Sequence, residues 1–202
     1  MRRLIVSMNI TLDGFLSGPG GELDWHFRYW SPDMACCLQE HLLLADTLLL
    51  GRYTYQAMAA YWRTQLGGGL SREDVAFAEM LHRYRKVVCS RTLKSADWNN
   101  SVLVSNRAAA AISRLKQQEG KQIVVYGSGN LLRTLVREDL VDEYLLWLHP
   151  VILGKGIPLI GKSLEPAGMQ LSGTRVFPSG VVLLQYRVAG DQATGTRKKA
   201  AV

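Results

Sequence analysis

Apolar residues along this chain come in short runs whose spacing alternates between that of a buried strand and that of a helix. LIVSMN at 4–9 has the unbroken β-branched character of a strand buried on both faces, and TLDGFLSGPGGELDW at 11–25 follows as a glycine-rich loop. Ser31-Pro32-Asp33 supplies an N-cap, a proline at the first helical position and an early acid. Met34, Leu38, Leu42 and Ala45 recur behind it at helical spacing, so a helix is expected over 32–45. TLLL at 47–50 reads as a second buried strand stopped by Gly51, and RYTYQAMAAYW at 52–62 as a helix starting where that strand ends. LGGGL at 66–70 should be an exposed loop, and Ser71 with Asp74 resembles a capping box for a helix over 72–83 that leads into a third strand, KVVC at 86–89.

The alternation continues. VLV at 102–104 is a short strand, an alanine-rich helix follows over 107–118, and Gly120 separates it from the strand QIVVY at 122–126. Gly127-Ser128-Gly129 turns into a helix of LLRTLV character, and DEYLLWLHPVIL at 142–153 reads as one long strand ending at Gly154. Segments 171–177 and 181–188 form a closing hairpin around Pro178-Ser179-Gly180. Strands that alternate with helices require a mostly parallel sheet covered on both faces, here with an antiparallel C-terminal edge hairpin, so the fold class is α/β. One domain over 1–188 and a small, polar, mobile tail over 189–202 are expected.

Composition narrows the function classes. With 48% hydrophobic and 20% charged residues, the 202-residue chain has the balance of a globular protein. Its longest apolar runs fall short of the roughly 20 residues needed to span a bilayer, so no membrane association is expected. The first residues are wrong for a secretory signal, which points to the cytoplasm. Cys36, Cys37 and Cys89 have neither metal-ligand nor disulfide spacing, and His26, His41, His82 and His149 are scattered, so no metal is expected. The net charge of +7 is dispersed apart from RKK at 197–199, so it marks no nucleic-acid stripe, although it suits a polyphosphate ligand.

Ligands of open α/β sheets sit beyond the carboxyl ends of the strands, which directs attention to the turns that follow strands. Three are informative. Gly51-Arg52-Tyr53-Thr54 combines a closely approachable backbone, a bidentate phosphate donor and a hydroxyl at a helix start. Ser90-Arg91-Thr92 repeats the hydroxyl and guanidinium, and Gly127-Ser128-Gly129 opens backbone N–H groups at the positive end of the next helix. Alone, each turn equally suits an ordinary role as a strand stop, a solvated arginine or a tight turn. Together they favour a dinucleotide, whose length needs contacts at several strand ends. A standard GxGxxG site is disfavoured, because Gly127-Ser128-Gly129-Asn130-Leu131-Leu132 lacks the third glycine and follows a late strand.

The order of LIVSMNITLDGFLSGPGGELDW, LLLGRYTYQAMAAYW, VVCSRTL, IVVYGSGNLLRTLV and LVDEYLLWLHPVILGKGIPLI resembles the dihydrofolate reductase superfamily over residues 3–188. The likeness is closer to its branch containing the C-terminal reductase domain of bacterial riboflavin-biosynthesis enzymes (RibD). The resemblance implies a three-layer αβα dihydrofolate reductase-like fold that binds NADPH and reduces a small heterocyclic substrate. It assigns Gly51, Arg52, Thr54, Gly127, Ser128 and Gly129 to the cofactor phosphates and Ser90 and Arg91 to the adenosine ribose phosphate. Met8, Asn9, Asp13 and Gly14 would lie near the nicotinamide.

The chemistry implied by that resemblance divides. A folate or pterin reductase needs a carboxylate on the helix after the first loop, for which Asp33 is the candidate and Asp24 a weaker one, although Asp33 equally suits the helix dipole. The riboflavin-pathway version reduces a phosphorylated ribosylamino-pyrimidine, 5-amino-6-(5-phosphoribosylamino)uracil, and Arg28 and His26 near the expected cleft would suit its anionic group. A non-catalytic nucleotide-binding protein is the alternative from another class. Trp25 and Trp30 read as core or pocket wall rather than catalytic groups. The apolar DEYLLWLHPVILG segment, with Tyr144 and Trp147, suits either the core or a two-fold interface, and a homodimer is expected.

Overall fold

The computed structural model describes residues 1–63, 72–161 and 168–189. In its first half the chain runs through β1 (Leu4–Thr11), β2 (Phe15–Ser17), a 3-10 turn (Asp24–Tyr29), α1 (Pro32–Leu43), β3 (Ala45–Gly51), α2 (Arg52–Trp62) and α3 (Arg72–Arg83). It continues with β4 (Arg85–Cys89), β5 (Ser101–Val104), α4 (Ala108–Gln117), β6 (Gln122–Gly127), α5 (Gly129–Arg137) and β7 (Glu143–His149). The last elements are β8 (Ile157–Pro158), β9 (Met169–Val176) and β10 (Val182–Val188).

Eight strands form one sheet in the order β5-β4-β3-β6-β1-β7-β10-β9. The first six are parallel, and β10 pairs antiparallel with both β7 and β9. Alternation along the strands divides the core in two. Ile5, Leu48, Leu50, Val124 and Trp147 pack with α1, α2 and α3 on one face. Leu4, Val6, Leu49, Ile123 and Val125 pack with α4 and α5 on the other. This is the three-layer αβα arrangement with a mostly parallel sheet and an antiparallel edge.

The local signals act as read: Ser31 Oγ accepts from Met34 N at 3.3 Å, with Pro32 opening α1. Three stretches differ. The strand expected over 142–153 stops at His149, because Pro150 has no N–H to donate and Val151 N turns back onto His149 O at 2.8 Å. The 11–25 loop contains β2, which pairs with β8 in a separate two-stranded sheet, and ends by entering the 3-10 turn. Neither element has the periodicity that makes a strand or helix legible, since one is three residues long and the other has no buried residue. The expected 66–70 loop, the Ser71 cap and the tail from 190 onward lie outside the described residues.

Trp147 and Tyr144 lie in the core, Trp147 stacked against Phe177 at 5.7 Å between ring centres. The apolar character of β7 is thus largely used within the chain, while Ile152 beyond its end is exposed. A polar tie joins α4 to the entrances of β1 and β7. The buried Lys116 ammonium donates to Leu140 O at 2.7 Å and to Asp142 Oδ2 at 2.6 Å, and the same carboxylate oxygen accepts from Leu4 N at 2.6 Å. Asp142→Ala leaves a buried cation and a backbone N–H without their acceptor, so a loss of about 3 kcal/mol is expected in urea unfolding. Lys116→Met combined with Asp142→Leu should recover the part due to the unpaired cation, but not the part due to Leu4 N.

Candidate functional site

In strand order the chain leaves β3 toward β4 on one side, and leaves β6 toward β7 on the other, past β1. The adjacent carboxyl ends of β3 and β6 therefore form a topological switch point, where the connections diverge and a crevice opens. α2 departs from β3 to one face and α5 from β6 to the other.

Backbone geometry at this point depends on glycine. The pairing of β3 with β6 slips between Leu49 and Leu50, so Leu50 faces Gly127 rather than Tyr126. A Cβ on Gly51 would stand 2.4 Å from Ser128 Oγ and 2.9 Å from Ser128 N. Gly127 has φ +134°, and a Cβ there would meet Thr54 Oγ1 at 2.6 Å. The Gly127–Ser128 peptide is cis. Gly51 and Ser128 are the N-cap residues of α2 and α5, and neither side chain caps its helix. Two helix N-termini with uncapped N–H groups thus lie side by side, which is the chemistry an anionic pyrophosphate requires.

Around this centre the sequence-derived residues separate into groups. Gly51, Thr54, Gly127 and Ser128 are in mutual contact range, and Gly129 lies under Leu16 and Ile157 of the small sheet. The Arg52 guanidinium lies 4.5 Å from the centre of the exposed Tyr53 ring. Ser90 follows β4, next to β3, and its Oγ accepts from Leu93 N at 2.9 Å and Thr92 N at 3.2 Å, a turn-stabilising role. Arg91 is exposed. A dinucleotide therefore fits the donor set of this edge.

At the end of β1, Met8 is buried toward α5, and Asn9 faces the opposite side. Asp13 Oδ2 accepts from Gly154 N at 2.7 Å and from Leu153 N at 3.1 Å, and Oδ1 accepts from Thr11 Oγ1 at 2.5 Å. The Thr11 hydroxyl first, then these backbone N–H groups, hold the carboxyl below its usual range. Asp13 thereby clasps the β1 exit to the 151–154 segment, while Gly14 turns the chain at φ +83°. Asp33 stands exposed in the first turn of α1, and Asp24 is exposed at the start of the 3-10 turn.

Sequence reasoning passed over His149, although it had named its neighbours Asn9, Trp25 and His26. His149 closes β7 opposite Thr11 and is fully buried at 0% exposure. Its Nε2 meets Asn9 Oδ1 at 3.1 Å, while its Nδ1 has no partner. The ring sits edge to face with Trp25 at 5.2 Å and with Tyr29 at 5.9 Å, and His26 is 6.1 Å away. Burial, then the neighbouring His26, lowers its pKa to about 4, and burial lowers that of His26 as well. The strand read over 142–153 hid it, because His149 stands at a strand end only once Pro150 stops β7, and Pro150 was the signal that could have shown it.

A neutral buried imidazole makes stability fall with acidity. Between pH 6.5 and about 4 the unfolded His149 takes up a proton that the folded chain refuses, which costs up to roughly 3 kcal/mol across that window and nothing above it. Urea midpoints from pH 7 to 4.5 should fall less steeply for His149→Phe than for the parent chain; parallel profiles would contradict the assignment.

Comparison with known proteins accords with this geometry. The family model described as the RibD C-terminal domain matches residues 2–183. The uncharacterized protein YyaP of Bacillus subtilis (strain 168) is 33% identical over 94% of this chain and 96% of its own length. A solved structure from Shewanella sp. PV-4, named for riboflavin biosynthesis, superposes with a TM-score of 0.74 at 20% identity, covering 93% of this chain and 99% of that one. Dihydrofolate reductase from Enterococcus faecalis, complexed with NADP(H), superposes with a TM-score of 0.60 at 13% identity, covering 93% and 97%. Among the described residues, no helix is long and apolar enough to cross a membrane and no group of three or more His, Cys, Asp or Glu side chains could hold a metal. The matched family model and the dihydrofolate reductase-like fold together make this chain a member of the RibD C-terminal domain family.

Proposed function

We propose that the chain is a cytoplasmic NADPH-dependent reductase that delivers hydride to a small nitrogen heterocycle. The observation that carries this reading is the pair of uncapped helix N-termini at the β3–β6 switch point, brought together by Gly51 and Gly127. Family membership supports it, and so does the NADP(H) complex of the structurally similar reductase from Enterococcus faecalis.

In this reading Gly51, Arg52, Thr54, Gly127, Ser128 and Gly129 hold the pyrophosphate, and Ser90 and Arg91 hold the phosphate that distinguishes NADPH from NADH. Met8, Asn9, Asp13 and Gly14 border the nicotinamide, with Asp13 acting through its clasp on 153–154. The bound cofactor supplies the hydride. The chain supplies position and a binding energy that orients both reactants. Reduction of a phosphoribosylamino-pyrimidine is the family-based choice of substrate. The pterin alternative needs a proton donor at Asp33, and an exposed carboxylate in the first turn of α1 does not favour it. The homodimer belongs to the same proposal. With Tyr144 and Trp147 in the core, the free edge of β9 offers it a surface, where Leu171 is 52% and Val176 72% exposed.

Thermal unfolding with NADPH, NADH and no ligand tests the cofactor reading, since binding to the folded state alone raises the midpoint. A larger rise with NADPH is expected; Arg91→Ala should shrink the preference about tenfold or more, in line with the loss of a charge-assisted phosphate contact, whereas Arg52→Ala should weaken both nucleotides alike. No shift with either nucleotide would refute it. Sedimentation at micromolar concentration should give twice the chain mass; a monomer would end the dimer proposal.

A further inference from the structure

Two buried polar atoms near one another are without partners: Nδ1 of His149 and Nε1 of Trp25. Their rings meet edge to face at 5.2 Å, Trp25 carried by the 3-10 turn and His149 by the carboxyl end of β7, opposite Thr11 of β1. Leaving such atoms unpaired is unfavourable, so their presence side by side marks a place where a ligand's polar groups belong.

Their hydrogen-bonding senses are opposite. Trp25 Nε1 can only donate. Asn9 Oδ1 accepts from His149 Nε2 at 3.1 Å, which puts the imidazole proton on Nε2 and leaves Nδ1 as a bare acceptor. An acceptor beside a donor is the complement of a lactam edge, in which a ring N–H stands next to a carbonyl.

We propose that His149 and Trp25 form the specificity element of the substrate site, reading a cyclic –NH–C(=O)– edge through His149 Nδ1 and Trp25 Nε1–H. The turn that carries Trp25 across His149 is loosely held, so it can shift as a ring enters while Trp25 stays on the rim. None of its residues is buried, Phe27 is 68% exposed, and the Tyr29 hydroxyl reaches Pro150 O only at 3.4 Å. Asn9 acts as the positioning residue that selects the imidazole tautomer. The substrate class is thereby narrowed to planar heterocycles with a free lactam N–H. This deepens the reductase reading, from which it takes the idea that the reacting ring lies at this edge.

The test is a calorimetric titration with two probes, lumazine and 1,3-dimethyllumazine, which share both carbonyls and differ in the lactam N–H groups. Lumazine should bind the parent protein about tenfold or more tighter, the value of one buried hydrogen bond. His149→Phe should weaken lumazine alone and bring the two probes within about twofold of each other. Trp25→Phe, which removes the N–H donor together with part of the ring, should weaken both probes alike and keep their ratio. Equal affinities in the parent, an unchanged ratio in His149→Phe, or unchanged affinities in Trp25→Phe would each overturn the proposal. NADPH binding is measured on the same samples. If NADPH fails to bind while the probe pattern holds, the cofactor reading falls and the lactam site stands.

Discussion

Everything at the candidate site depends on how closely the backbones of β3 and β6 approach at their carboxyl ends. No side chain fits between Gly51 and Ser128, or between Gly127 and Thr54, without displacing the opposing atoms. Because α2 and α5 leave on opposite faces, this contact sets two helix N-termini beside each other without burying either. The partial positive charges of both then act on one volume, which is how a fold without a GxGxxG turn can offer a pyrophosphate site.

The rest of the molecule holds that contact in register. β1 carries apolar side chains to both faces and is flanked by β6 and β7, so each face of the sheet has a continuous core and the ends of β1, β3 and β6 cannot slide independently. Charged ties reinforce the opposite edge. Arg2, buried at the amino end of β1, is paired with Asp46 and donates to Thr47 Oγ1 at 2.8 Å and Lys121 O at 2.6 Å, joining the entrances of β1, β3 and β6. Lys116 and Asp142 do the same for α4, β1 and β7. The amino edge is thus closed by polar networks, and the carboxyl edge is left to turns whose N–H groups face outward.

Beside the switch point, the exits of β1 and β7 make a second, differently built region. Asp13 binds the 153–154 backbone and Leu12 N bonds Val151 O at 2.8 Å, so these two exits move as one unit. His149 and Asn9 hang below that clasp under an exposed 3-10 turn. The first region, proposed for the pyrophosphate, is thus defined by backbone, and the second, proposed for the reacting ring, by aromatic and imidazole side chains, so the two could diverge in sequence independently.

From the sequence alone the helices, the parallel strands, the closing hairpin and the place of the three glycine- and arginine-bearing turns at strand ends were legible. Caps, prolines and hydrophobic period act over a few residues, and each such signal is local: Ser31-Pro32 at α1, Gly51 after β3, Pro178-Ser179-Gly180 between β9 and β10. The end of β7 at His149, the β2–β8 pair and the 3-10 turn were decided by contacts between distant segments, which leave no periodic trace. Placement likewise needed the fold. Only the β3–β6 adjacency brings Gly51 to Gly127, and only the β1–β7 pairing joins Asn9, read toward the nicotinamide, to His149, read merely as a scattered histidine, because register across strands is set by the packing of the whole sheet rather than by either segment.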